Sequence, residues 1–434
     1  MTQVMTQRGF TQDTFRAFLA GRDEPTWLIE LRQQAFETFL AMPMPGGPPE
    51  EWRRTDVRGL KLDKFGFPGD VPAAAPSQAL LTEGVDLGGR TVSQDSRIVQ
   101  ESVDANITAS GVLFGSLDRL ASEHPELVKE HLFGRAVRTD ADKFAALHAA
   151  AWSGGTLLYV PAGVKVEKPL HILSQLSDGA ADFSHTLIVL EDGAEATVLA
   201  ETAGAETSGL HAGGIEILVG PNARLRYVNL QNWGRGVWHF AHQKAIVEQN
   251  ARLQWTIGAL GARLAKVNQH VALAGPKAEV QVNGVMFTEA KQHLAYHTLQ
   301  HHESPEGISD LLYKGALQDH SRLVWRGMIK VDPNAQKTNG YQRNDNLMLS
   351  ADARADSIPG LEIEADDVRC THGATAGRVE EDPIFYAQCR GLTRQEATRM
   401  IVTGFFQQVF DRITIESVRE ALAVAIGRRI RKYL

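Results

Sequence analysis

Four stretches of this chain repeat one pattern at a nearly fixed interval, and no other feature limits the fold as strongly. They read IVLEDGAEATVLAE, ILVGPNARLRYVNL, AIVEQNARLQWTIG and ALAGPKAEVQVNGV. Each is an apolar run, a polar turn, an alanine and then strict alternation of apolar and polar residues. With Ala196, Ala223, Ala251 and Ala278 aligned, the steps are 27, 28 and 27 residues. In the third copy the period of two turns Ala251, Leu253 and Trp255 inward and Arg252, Gln254 and Thr256 outward. The fourth sets Ala278, Val280 and Val282 against Glu279, Gln281 and Asn283. Short strands at this period, with no helices between them, fit a solenoid of stacked β coils better than a closed barrel. The expected fold is mainly β: a right-handed parallel β-helix (β-solenoid) flanked by N-terminal and C-terminal α-helical regions. An antiparallel sandwich of hairpins is the runner-up. Ser321 and Ala353 mark later copies at longer intervals. Stacking pairs every strand except those at the two ends, so the ends need caps, and the helical termini are the natural ones.

Those termini have their own signals. Residues 11–42 read as helical, with Phe15, Phe18 and Leu19 on one edge and Leu28, Leu31, Ala35, Phe36, Phe39 and Leu40 at helical spacing. The segment PMPGGPPEE breaks that pattern because proline lacks an amide donor, and the chain stays irregular through VPAAAPSQ. Trp52 reads as a packing anchor. Pro125 suits a first helical turn, and Thr139 with Asp142 has capping spacing before Phe144 and Leu147. Beyond Gly391, Thr393 and Glu396 form a capping-box signature, and Val418, Ala421, Leu422, Ala425, Ile426 and Ile430 recur at helical steps before a basic tail. The expected division is 1–152 as a helical and mixed region, 153–390 as the β-helix core and 391–434 as a helical partner-docking region. Phe405, Phe406 and Phe410 are the candidate docking anchors.

Composition excludes several classes. The 434 residues carry a formal net charge of -7, which gives no reason to expect nucleic acid or an anionic membrane as partner. No apolar run approaches a membrane span and the N-terminus lacks an apolar signal core, so the expected location is the cytoplasm. The 2 cysteines, Cys370 and Cys389, fit a reducing compartment. They also cannot enclose an iron–sulfur cluster by four thiolates. Phosphate-loop, dinucleotide and nucleophile-elbow patterns are missing, which assigns nucleotide chemistry to a partner.

Metal-facing chemistry concentrates in PGLEIEADDVRCTHGATAGR. If this stretch is extended, Cys370 and His372 share one face behind the carboxylates Glu362, Glu364, Asp366 and Asp367. The pair could touch one object together. A second group, His293, His297, His301 and His302, lies in HLAYHTLQHH, where β context favours a polar ladder and no cysteine or carboxylate stands at matched spacing. Two alternatives remain from the residues: a polysaccharide-processing β-helix enzyme using paired carboxylates, which 7% aromatic content argues against, and a stand-alone metal-binding β-helix protein.

Three long segments carry a family likeness. AAAWSGGTLLYVPAGVKVEKPLHI, PGLEIEADDVRCTHGATAGRVEED and IFYAQCRGLTRQEATRMIVTGFF resemble the SufB/SufD family of iron–sulfur cluster assembly proteins over roughly the last two thirds of the chain. The LEIEADDVRCTHGAT form looks like SufD, with a SufB-like cluster scaffold as the alternative. The resemblance implies a right-handed β-helix and a complex with a SufB-like paralogue and two copies of a SufC-like ATPase. In that setting the C-terminal helices dock the ATPase, and the chain is a non-catalytic scaffold subunit. It further implies that His372, with Cys370 nearby, lies at the SufB interface and meets iron or a cluster transiently, none being tightly bound by the chain alone. A homodimer in isolation is the other expected association. SufB carries a sulfur-receiving cysteine where this chain has Ile363, which argues against a direct sulfur-acceptor role here.

Overall fold

Every strand must pair its amides and carbonyls, and here the strands between the two ends pair with the coil before and the coil after. The computed structural model describes residues 8–47, 49–69, 79–204 and 206–430. The irregular stretch expected at 71–78 and the last residues of the basic tail lie outside these. Two ten-stranded sheets face each other across an apolar interior. Successive strands of each sheet are parallel and in register, for example Arg224–Gln231 on Arg252–Ala259 and the latter on Glu279–Thr288. Parallel pairing rules out the sandwich of hairpins and establishes the β-solenoid.

Stacking puts equivalent residues in columns. Tyr227, Trp255, Val282, Leu311, Gln342 and His372 form one inward column of the first sheet. Leu225, Leu253, Val280, Ser309, Gly340 and Cys370 form its neighbour. The alternation expected for Ala251, Leu253 and Trp255 holds, since all three are buried in the interior cluster.

The repeat alignment needs two corrections. Arg224 pairs with Glu195, so the structural counterpart of Ala223 is Ala194, two residues before Ala196. A slip of two leaves every side chain on the same face, which is why alternation could not detect it. Ser321 and Ala353 are equivalent to each other, since each immediately precedes one of the paired residues Arg322 and Arg354, but they open strands of the second sheet. The first-sheet position of Ala278 passes instead to Gly307 and Thr338.

Helices cover the flanks. The helices Thr26–Ala41 and Lys143–Ala151 lie on the outer face of the second sheet, where Phe36, Phe39 and Phe144 join Leu210, Phe240 and Leu264. Phe144 stacks on Phe240 with centroids 3.5 Å apart, and Trp52 packs beside both, the anchor role its sequence suggested. Asp142 caps Lys143–Ala151 by accepting from the amides of Phe144 and Ala145, the work expected of Thr139. The helices Arg394–Phe410 and Glu416–Arg429 cover the outer face of the first sheet, where Val402, Phe406, Val418 and Leu422 meet Val285, Phe287 and Leu312. That cover buries Thr256 and Asn283, two of the six polar residues expected to face outward. The capping box of Thr393 and Glu396 is formed. Residues 381–388, expected within the β core, are helical, with Glu381 and Asp382 in the first turn.

The helices therefore seal sides, and the ends are treated differently. At the start, the antiparallel strands Arg97–Val103 and Leu113–Ser116 close the two sheets. At the finish, Arg354–Ile363 and Arg369–Arg378 are the last strands of their sheets and are largely exposed. The C-terminal helices do not cap this end, because the outer face of the first sheet offers the apolar strip that their own apolar residues match.

Several histidines are sealed inside the fold. Burial, reinforced by neighbouring imidazoles, pushes His148 and His239 well below the ordinary histidine range, and burial holds His302 at about 4. The unfolded chain titrates these groups near 6.5, so it binds more protons than the folded chain below that pH. Their contribution is fully present above 6.5 and is lost as pH falls toward 4. Each fully buried histidine adds a slope on the order of 1.4 kcal/mol per pH unit in this window. Thermal unfolding followed from pH 7.5 to 5 should show a steep fall in Tm below about pH 6.5 with net proton uptake. A flat Tm would mean that these imidazoles are charged in the folded protein.

Candidate functional site

The last coil builds the site by leaving it uncovered. Cys370 packs against Ile329, Val331 and Ala335, so its side chain is on the inward face. His372, two residues on in the same strand, shares that face, as the spacing predicted. Across the coil, alternation from Ala355, which packs on the interior, puts Ser357, Pro359, Leu361 and Ile363 inward as well. Leu361 is 37% exposed and Ile363 40%, although both face the solenoid interior. They are accessible because no further coil of the described chain stacks above them. Cys370 is half-buried and His372 is exposed. Burial raises the Cys370 thiol above its ordinary range, opposed only by a backbone hydrogen bond from Gly340, so the free chain holds a protonated thiol.

Beneath this layer the interior turns from apolar to polar. Gln342, Asn344 and Asn346 replace the aromatic and aliphatic residues of earlier coils and are buried. Asn346 donates to Asn344 at 2.6 Å, Ser357 donates to Asn344 at 2.6 Å, and Gln342 donates to the Gly360 carbonyl at 2.9 Å. One coil earlier, Ser309 bonds His302 at 2.8 Å and accepts from Gln300 at 2.7 Å. Sequence reading missed this floor. Extending the repeat register through residues 339–378 would have exposed it, because the inward positions there read Gln, Asn, Asn and then Cys, His.

The other candidates separate. Glu362 pairs with Lys330 at 3.0 Å on the outer face, and Glu364, Asp366 and Asp367 are exposed, so the carboxylates do not converge on the thiol and imidazole. His293, His297 and His301 form an outward row, while His302 points inward to Ser309. His301 is committed to Asp332 at 2.9 Å and Glu303 at 3.2 Å. Burial holds His293 and His297 neutral, at about 4 and about 2. No three histidine, cysteine or carboxylate side chains among the described residues are grouped to hold a metal ion. Cys370 and His372 offer one sulfur and one nitrogen, a soft and a borderline ligand type, which by themselves do not complete a metal site.

The three phenylalanines do not stand out as free anchors. Phe406 and Phe410 are buried against the first sheet, and Phe405 is partly buried beneath Lys314, whose ammonium lies 4.7 Å from its ring. The sheet beneath is apolar at Phe287, Leu312 and Ala316, so these rings seal the flank. Among the described residues, Phe385 and Tyr386 on Glu381–Gln388, 67% and 62% exposed, with Met400 and Val424, are the large apolar side chains that face outward here. Among the described residues no helix is long and apolar enough to cross a membrane.

The molecule is thus a parallel β-solenoid with helix-covered flanks whose last coil is open and carries a thiol and an imidazole on its inward face. The chain belongs to the SufBD family of the SUF system for iron–sulfur cluster assembly: residues 172–405 match its core domain and residues 89–172 the SufBD N-terminal region. An iron–sulfur cluster assembly SufBD family protein of Staphylococcus haemolyticus is 28% identical, the alignment covering 95% of this chain and 91% of the relative. Relatives of the same description from Staphylococcus epidermidis and Staphylococcus aureus are 27% identical over the same shares.

The two thiols should differ in reactivity. A chromogenic disulfide reagent should label exposed Cys389 quickly and Cys370 about ten-fold or more slowly, since only the thiolate attacks. Cys389→Ala should leave the slow phase alone. A single fast phase for both would show the terminal coil to be more open than described.

Proposed function

We propose that this chain is a SufD-like, non-catalytic scaffold subunit of a cytoplasmic SUF assembly complex. It places Cys370 and His372 at the interface with a SufB-like paralogue, where iron or a nascent cluster is the transient cargo. The observation that carries this reading is the open terminal coil. Its inward thiol and imidazole, its exposed Leu361 and Ile363, and its two unpaired strand edges all call for one further layer. A partner that adds that layer also supplies the missing ligands. Ile363 in the inward layer supports the SufD-like assignment over the SufB-like one, because an aliphatic side chain there cannot accept sulfur.

On this reading a SufC-like ATPase docks on the C-terminal helices and its motion reaches the interface through the covered flank. The docking region is best drawn as residues 381–430, since Phe385, Tyr386 and Met400 are its exposed anchors. Nucleotide turnover belongs to that partner.

Co-purification with SufB-like and SufC-like partners tests the interface. His372→Ala and Cys370→Ala should both assemble, while cluster content after reconstitution falls about ten-fold or more for His372→Ala. Loss of assembly itself would recast His372 as structural. Paired Phe385→Ala and Tyr386→Ala changes should weaken ATPase capture by about 2 kcal/mol or more with Tm unchanged. Phe406→Ala should instead cost about 3–5 kcal/mol of folding stability.

A further inference from the structure

We propose that the outer face of the second sheet carries an oxyanion site, built on Arg326, His297, His270 and Asn268, that takes the phosphate or carboxylate group of a small molecule. It lies outside the interior onto which Cys370 and His372 face, so it is additional to the open coil.

Alternation brings these side chains together. On Leu264–Leu273, Val267 and Gln269 are inward, Gln269 accepting from Tyr313 at 2.7 Å, so Lys266, Asn268 and His270 face out. Tyr296 and Trp325 are inward on the next two strands of the sheet, which puts His297 and Arg326 outward. Asn268, His297 and Arg326 stand in register on three neighbouring strands, and His270 is two residues along from Asn268. Adjacent strands are about 4.8 Å apart, so the row spans about 10 Å. A cavity of about 360 Å³ opens over it, with Glu51 on its wall and Leu299 and Met328 as an apolar strip.

Positive charge here exceeds what the chain's own carboxylates match. Among the described residues neither Arg326 nor Lys244, the register partner of His270, makes a hydrogen bond or ion pair. His270 Nε2 is buried without a partner, and so is the ammonium of Lys266, which is 2% exposed and lies 5.7 Å from the Trp52 ring. The nearby acids are mostly taken: Glu362 by Lys330 at 3.0 Å, Asp332 by His301 at 2.9 Å, and Glu50, which feels Arg326, by Arg54. Glu51 is the unpaired exception. Burial and then Lys266, Arg326 and Arg54 press His297 down to about 2, while burial, Lys244 and His301 press His270 down to about 3. The charges acting on the two rings are therefore positive ones. A buried cation without a counter-ion is costly, and an anion over this row relieves it. The guanidinium fork, a carboxamide and two neutral imidazoles, each with one N–H, supply donors that match phosphate or carboxylate oxygens. The cavity is at the small end of the roughly 300–1,000 Å³ range of ligand sites, which fits a small molecule.

The test is isothermal titration of the full chain, in low-chloride buffer at pH 7.5, with inorganic phosphate and separately with succinate. Saturable binding of one ion per chain is expected for at least one probe, and which of the two binds tells a phosphate source from a carboxylate source. Arg326→Gln should weaken that binding about ten-fold or more, whereas Arg226→Gln, exposed on the first sheet, should leave it within about two-fold. In the labelled native chain, the nitrogen-15 signals of His270 and His297 should move with the same saturation. No saturable binding of either probe overturns the proposal. Equal weakening in Arg326→Gln and Arg226→Gln would mean general attraction to surface charge and overturns it as well. So does unchanged affinity in Arg326→Gln, which would place the ion elsewhere. The histidine signals are read on the native chain and decide even if Arg326→Gln fails to fold: signals that stay fixed while an ion binds overturn the assignment.

Discussion

The backbone ladder between coils is the constraint on which everything else depends. A β-solenoid satisfies each amide and carbonyl with the coil on either side, so the structure is strictly a stack, and a stack has two ends. Within it, columns of identical environment run the length of the molecule. Large interior residues such as Trp255, Trp325, Tyr296 and Tyr313 are fully buried, and glycines make room for two of them: Gly284 in register with Tyr313 on the next coil, and Gly327 two residues beyond Trp325 in its own strand. The last layer inherits the same inward geometry with nothing above it, and there the column residues are a thiol and an imidazole.

The flanks and the end are complementary uses of apolar surface. Where the outer face of a sheet is apolar, a helix of the same chain lies on it, as at Phe240 and Phe287. Where the interior itself is exposed, at Leu361 and Ile363, no segment of the described chain covers it. The chain thus places its own helices on the sides and leaves this end open. Polar residues in the coil below, Gln342, Asn344 and Asn346, keep that end from being a simple greasy surface and give any incoming layer a directional floor.

Much of this was legible from the sequence because period two and a coil length near 28 residues are strong signals. The solenoid, the inward set Ala251, Leu253 and Trp255, the shared face of Cys370 and His372, the packing role of Trp52 and the capping box at Thr393 all follow from local rules. What was not legible shares one cause. The choice of Ala196 over Ala194, the placing of Ser321 and Ala353 on the wrong sheet, and the reading of Phe406 and Phe410 as surface anchors each concern which face meets which neighbour. Alternation says that two residues are on the same side of a strand; it does not say what that side touches. The helix at 381–388 and the polar floor under His372 were missed for the same reason.

The unequal ends also limit growth. Antiparallel strands at the first coil present the wrong polarity and register for another parallel layer, whereas the last coil presents the right one. Only the last coil therefore keeps, at a free edge, the strand polarity of the stack, whereas the reversed strands at the start end the parallel ladder. A ladder that a uniform stack could extend at both ends can thus be continued with unchanged polarity at one end alone.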